Sequence, residues 1–421
     1  MSYKLSMYNI IAKKIKNDYI IYNSRSGAVC SIPDDDWKKL KNNIELDDNY
    51  MDELYKQGII VHSNYDEYNS ILCNTSRENY KYQETLQFVI ATTMNCNLNC
   101  IYCFEEHKNN ISLSDNDIEN IYSFIINSLK VNPAVKKLHI TWFGGEPLLA
   151  FKQLITLGSR IKSFCDENNV YYYSTMITNG ILLTEDRLTE LVEKTNLIKV
   201  QITLDGLQKN YCLRKRATPE QYNMVIKNIY NAIKKIKVVV RVNCDKDNID
   251  ERNKIVEELY TNSNNSKNLT IYLAQIVDYL GNKCCNTLEN SEFAHIKNEF
   301  ENSLVKKFPM FKLDFPKKRY SYCGMSRLQN FAIGPNGDLY KCEHCIGDED
   351  KRVGNCVDGV YYNDYYEKFM NYTPPKYCKK CSLFPICAGG CTNENLYQKN
   401  KTCKVRKDKL ALIKDRISKL Y

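Results

Sequence analysis

Thr92-Thr93-Met94-Asn95-Cys96-Asn97-Leu98-Asn99-Cys100-Ile101-Tyr102-Cys103-Phe104-Glu105-Glu106 is the stretch on which the reading of this chain turns. Cys96, Cys100 and Cys103 form a CX3CX2C pattern directly after an apolar run. Three thiolates this close can hold three irons of a four-iron cube. With no fourth cysteine nearby, the last iron keeps an open position where a small molecule can bind and be reduced. Half of a zinc site is the competing reading. Zinc ligands come as CX2–4C pairs that join a second pair, and no second pair falls within the following hundred residues.

Outward from this loop, strand-like and helix-like segments alternate. The strand candidates are Leu86–Thr92, Lys137–Trp142, Tyr171–Ile177, Ile198–Leu204, Val238–Val242 and Thr270–Gln275. They are short β-branched or aromatic runs, separated by helical patterns such as Asp115–Leu129 and Thr184–Glu193. Six such units predict an α/β fold with a parallel sheet. Six is short of eight, so a partial (β/α)6 TIM barrel is expected over 83–310, with functional residues at the C-terminal ends of its strands.

The flanks read differently. In the N-terminal region, 1–82, Tyr19–Tyr22 and Ala28–Ile32 read as paired strands around an Asn23–Gly27 turn. Pro33 and Asp34–Asp36 then open a helix with acids at its positive end. A further helix and short strand follow over Met51–Val61, and the polar stretch His62–Gln83 reads as a linker. A small α+β domain is expected there. The C-terminal region, 311–421, is cysteine-dense and turn-rich, with little regular structure predicted; such a segment needs bound metal to stay folded.

Composition narrows the class. The 421 residues suggest two or three domains, and 43% hydrophobic residues suffice for a packed core. The net charge is +9, but the basic residues are scattered and form no Lys/Arg arm interleaved with aromatics, so no nucleic-acid partner is expected. No run approaches the ~20 apolar residues of a membrane span, and Met1–Lys13 lacks a signal-peptide pattern. A cytoplasmic protein is therefore expected, where disulfides are disfavoured. Nineteen cysteines against five histidines then read as cluster or metal ligands.

At this point the sequence resembles the radical S-adenosylmethionine (SAM) superfamily. The aromatic before the third cysteine is Tyr102, and the second strand ends in Trp142-Phe143-Gly144-Gly145-Glu146-Pro147, similar to the family's GGEP motif. Thr203-Leu204-Asp205-Gly206 looks like its SXDG segment, with Thr203 in place of the usual Ser. The resemblance implies SAM chelating the open iron and a 5′-deoxyadenosyl radical that abstracts hydrogen from a C–H bond; the cofactor carries that chemistry. It also implies SAM contacts from Tyr102, Gly144, Gly145, Glu146 and Thr203. An Arg near the SAM carboxylate is expected as well: Arg214, with Arg216 the other candidate.

A second array extends the likeness. Thirteen residues separate Cys323 from Gly337, and four more separate that glycine from Cys342. Cys378-X2-Cys381-X5-Cys387-X3-Cys391 comes next, and Cys403 closes the series. These seven cysteines resemble the SPASM domain of peptide-modifying radical SAM enzymes. The likeness implies two auxiliary [4Fe–4S] clusters, three in all. One would be held by Cys378, Cys381, Cys387 and Cys403, the other by Cys323, Cys342 and Cys391. Its fourth ligand stays open between Cys345, Cys356 and a vacant iron, because Lys317 stands where sulfatase-maturing relatives have a cysteine. Glu343 follows the second array cysteine where those relatives have Asp. No residue is assigned as catalytic. Cys30, Cys73, Cys165, Cys212, Cys244, Cys284 and Cys285 fit no array and read as spectators.

The function expected is a radical SAM peptide maturase. It would grip a leader on the precursor peptide through the N-terminal strands, abstract hydrogen and install a crosslink, with a thioether favoured by the missing ligand. Flavodoxin or ferredoxin would supply electrons. An anaerobic sulfatase maturase is the runner-up, and a non-catalytic zinc-binding regulatory module the alternative of another class.

Overall fold

Runs such as Thr85–Ala91 (TLQFVIA) bury every second residue almost completely, Leu86, Phe88 and Ile90 among them. That period of two fits a strand with one face against helices. The computed structural model of the chain describes residues 2–105, 110–277, 285–308, 311, 316–397, 403 and 406–419. Two compact units are formed, and neither is continuous in sequence: residues 82–288 with 327–370, and residues 1–81 with 289–326 and 371–421.

The unit built around residues 82–288 contains the expected partial barrel. After the five short strands of the other unit come β6 (Thr85–Ala91), β7 (Lys137–Phe143), β8 (Tyr171–Thr178), β9 (Leu197–Thr203), β10 (Lys237–Cys244) and β11 (Leu269–Gln275). They lie side by side in chain order, and every pairing is parallel. Helices fill the crossovers. Asp115–Lys130 starts at a capping box between Ser114 and Asp117 and buries Ile118, Ile121, Ile125 and Leu129 at helical spacing. Each such side chain contributes about 1.5–3 kcal/mol by leaving water.

The sheet does not stop at β6. β12 (Phe331–Ile333) pairs parallel with β6, and β13 (Asp338–Tyr340), β14 (Arg352–Asn355) and β15 (Gly359–Val360) continue antiparallel from it. Part of the region predicted to have little regular structure thus extends the barrel sheet to ten strands.

The other unit contains a meander of β2 (Asn9–Ile15), β3 (Asp18–Asn23) and β4 (Val29–Pro33), and a β1 (Tyr3–Leu5) to β5 (Ile60–His62) pair. The helix opened by the acidic run is Asp34–Lys41. The stretch His62–Gln83, read as a linker, instead contains the helix Glu67–Tyr80, capped by Asp66. Its Tyr68 and Ile71 pack with Tyr8, Ile10, Phe384 and Ile417, a distant set that local polarity could not reveal. Among the described residues no helix is long and apolar enough to cross a membrane.

Candidate functional site

The C-terminal ends of the barrel strands surround a cavity of about 270 Å³. Cys96, Cys100 and Cys103 line it together with Tyr102, Gly144, Gly145 and Thr203. The cysteine loop is fixed from below by the glycine pair. Gly145 donates its N–H to Thr93 O at 3.0 Å, and Glu146 donates to Asn95 O at 2.8 Å. A Cβ on Gly144 would stand 2.2 Å from Thr93 O, and one on Gly145 2.4 Å from Asn95 O. Gly144 also has φ +132°, which favours glycine. The resemblance gave these glycines a reason in cofactor approach; the structure adds another, since the cysteine loop's own backbone fills the space.

Glu146 is fully buried and is not part of the cavity wall. Its carboxylate accepts hydrogen bonds from Thr178 Oγ1 at 2.8 Å, Asn179 N at 2.8 Å and Leu148 N at 3.1 Å, tying the end of β7 to the end of β8. Burial raises its pKa, and these donors pull it part of the way back. Asn179 ties the end of β8 to the cysteine loop as well: its Nδ2 donates to Asn97 Oδ1 at 2.7 Å and lies 4.0 Å from Cys96 Sγ.

A buried charged cluster stands beside Cys100. The Tyr102 hydroxyl donates to Asp205, and Lys215 Nζ lies 3.2 Å from Tyr102 Oη and 3.5 Å from Asp205 Oδ2. Burial opposes the Lys215 charge, yet Asp205 and Tyr102 hold its pKa well above the ordinary value. Burial, and then the Asp205 charge, push the Tyr102 phenol up in the same way. Arg214, whose guanidinium lies 5.7 Å from the Tyr102 ring centroid, does not line the cavity. It is 4% exposed, and its guanidinium makes a two-pronged pair with Asp245 at 3.0 and 2.7 Å. Arg216 is exposed. The cation that the helix Gln208–Lys215 presents to the cavity is therefore Lys215, which the sequence reading passed over. The arginine-directed motif hid it; its position at the last helical residue is the only local signal.

Cys342 lies in the same unit, and the ring of Phe104 from the cysteine loop stacks on His344 at 4.2 Å. Glu343 and His344 both line the cavity. The Cys342 and Cys345 thiols hydrogen-bond to one another, and Tyr365 Oη stands 3.6 Å from Cys345 Sγ. Cys356 is buried behind Gly337, whose carbonyl accepts its N–H at 2.8 Å. Cys323, Cys378, Cys381, Cys387, Cys391 and Cys403 belong to the other unit. There burial, followed by the charges of Cys381, Cys387 and Cys403, pushes the Cys378 thiol up to about 12, so these three stand within electrostatic reach of Cys378. No disulfide joins any described cysteine. Cys284, read as a spectator, lies outside the described residues.

The donor set fits an iron–sulfur cube with SAM. Three thiols share one rim, a glycine pair lets the loop sit close, and a buried cation stands a hydrogen bond from the aromatic between the second and third cysteines. Asp205 Oδ1, though buried, has no hydrogen-bond partner among the described residues.

These features fit a radical SAM site, and residues 90–259 match the radical SAM superfamily model. This region of the chain belongs to the radical SAM superfamily. Among its relatives, the radical SAM cyclopropyl synthase TigE of Paramaledivibacter caminithermalis is 23% identical over 92% of this chain and 89% of its own. A cysteine-type anaerobic sulfatase-maturating enzyme of Clostridium perfringens is 25% identical, over 70% of this chain and 85% of its own. The crystal structure of Streptococcus suis SuiB bound to precursor peptide SuiA superposes with a TM-score of 0.57 at 16% identity, covering 94% of this chain and 97% of that one. That likeness is one of fold.

Proposed function

We propose that this chain is a peptide maturase that uses radical SAM chemistry to install a crosslink in a ribosomally made precursor. The observation that carries the reading is the cavity itself, where the CX3CX2C thiols and the Cys342–Cys345 segment line or adjoin one chamber in a single unit. SuiB, whose fold this chain shares, is bound to a precursor peptide in its crystal structure, which favours a peptide substrate here.

Cys96, Cys100 and Cys103 would hold the first cluster. When bound, cluster and SAM together supply a hydrogen-abstracting radical by reductive cleavage. The chain's residues set the stage. Lys215, backed by Asp205 and Tyr102, would take the SAM carboxylate; Gly144, Gly145 and Thr203 would line its seat. Glu146 holds the strand ends in register, acting as a positioning residue. Arg214 braces the helix that carries Lys215.

Cys378, Cys381, Cys387 and Cys403 would hold one auxiliary cluster; Cys342, with Cys345 beside it, would serve a further one. Ligation by Cys345 would leave no iron open to a substrate thiolate, which removes the argument that favoured a thioether. The three proposed domains would be a leader-binding N-terminal segment, the barrel and a SPASM segment, in a cytoplasmic protein served by flavodoxin or ferredoxin.

The test is mass spectrometry of a short peptide encoded beside the gene after anaerobic incubation with reduced enzyme and SAM. A crosslink removes two hydrogens from the peptide mass. An unchanged mass in every neighbouring peptide contradicts the reading. A sulfatase maturase, with Glu343 in the cavity as proton acceptor, would instead give an aldehyde from Cys or Ser.

A further inference from the structure

The inner face of the barrel carries a second cation that the SAM site leaves unused. Along β10 the side chains alternate: Val240 and Val242 are buried under the helices, whereas Arg241 and Asn243 line the cavity. Arg241 donates from Nε to Asn243 Oδ1 at 2.8 Å. Among the described residues no carboxylate pairs with it. Its register partners on the adjoining strands are Thr203 and Tyr272, neither of them a carboxylate. Gln201, hydrogen-bonded to Tyr272 at 3.1 Å, is neutral. Deeper on the same face, burial and then the Lys199 charge lower the His139 pKa to about 4, so this ring is also uncharged near pH 7.

Glu105 and Glu343 also line the cavity, but neither pairs with Arg241; a guanidinium so placed can bind an anion, and its planar fork suits a carboxylate. SAM brings a single carboxylate, and Lys215 stands for it beside Tyr102 and Cys100. We propose that Arg241 binds a carboxylate of the substrate peptide, an Asp or Glu side chain close to the attacked carbon, so that the enzyme selects acidic segments. The inference rests on the peptide-maturase reading and narrows its substrate class.

The experiment uses full-length, cluster-reconstituted protein with saturating SAM. Its probes are two synthetic peptide pools, randomised except for a central residue fixed as Asp in one and Asn in the other. Retention in equilibrium dialysis is read by mass spectrometry. The wild type should retain the Asp pool about tenfold better, the scale of one charge-assisted pair. Arg241→Gln should abolish the preference and leave SAM affinity unchanged, and Arg241→Lys should restore part of it. Unchanged SAM affinity also reports that the variants are folded. Equal retention of both pools by the wild type overturns the role of Arg241 alone. Loss of SAM affinity in Arg241→Gln, with Lys215→Met without effect on it, reassigns Arg241 to the cofactor and also overturns the proposal. Retention of neither pool overturns the proposal together with the peptide reading beneath it.

Discussion

Gly145→Ala isolates the contact that seats the cysteine loop. Gly145 is not in a left-handed backbone conformation, so alanine adds no backbone strain and the effect is steric. The new Cβ would meet Asn95 O at 2.4 Å and both Asn95 C and Met94 O at 2.7 Å. These are backbone atoms and cannot swing away as a side-chain tip does. Overpacking of this kind costs about 1–3 kcal/mol. Moving the loop also strains the 3.0 Å and 2.8 Å hydrogen bonds from Gly145 and Glu146, and losing one adds about 1 kcal/mol. The total, about 2–4 kcal/mol, corresponds to a fall in melting temperature of roughly 4–16 °C for a unit of this size. Circular dichroism of the cluster-free protein measures the fall without any metal. Iron analysis after reconstitution should show the loss of ~4 irons from the ~12 that three four-iron cubes contain. Melting within a degree of wild type, with full iron content, would refute the claim that the glycine pair exists to admit the loop.

Other outcomes follow from the same geometry. Lys215→Met should weaken SAM binding by about 10–100-fold, as loss of a charged contact does; Arg214→Met should leave SAM affinity intact but lower stability by about 3–5 kcal/mol, because it strands buried Asp245. Isothermal titration and denaturant melts separate the two. His139 has a folded pKa near 4 against an ordinary 6.5, so the unfolded chain takes up a proton that the folded chain refuses. Stability should therefore fall as pH drops from 6.5 towards 4, and His139→Gln should flatten that part of the wild-type stability profile. Cys378→Ala should remove ~4 irons and leave SAM cleavage by the first cluster detectable; full iron retention would detach Cys378 from any cluster.

The barrel was legible because its signals are local. The six parallel strands each announce themselves as a short β-branched or aromatic run, and the CX3CX2C loop and GGEP segment sit at consecutive strand ends. What escaped was set by distant partners. The helix Glu67–Tyr80 reads as polar linker because only one face, with Tyr68 and Ile71, is covered, and by residues distant in sequence, from Tyr8 to Phe384. β12 is three residues long and is defined by its pairing with β6. Lys215 and Arg214 are adjacent in sequence, and only Asp245 on one side and Asp205 on the other decide which one faces the cavity. Arg241 gave no sequence signal, because the absence of a partner is a property of the folded cavity.

The central claim, that Cys96, Cys100 and Cys103 initiate radical chemistry on SAM, is tested most directly by 5′-deoxyadenosine formation. Anaerobically purified, dithionite-reduced wild type should be brown and convert SAM to 5′-deoxyadenosine. Cys103→Ala should form none while keeping the irons of the auxiliary clusters. Colourless, zinc-containing wild type, or equal 5′-deoxyadenosine from wild type and Cys103→Ala, would contradict the account.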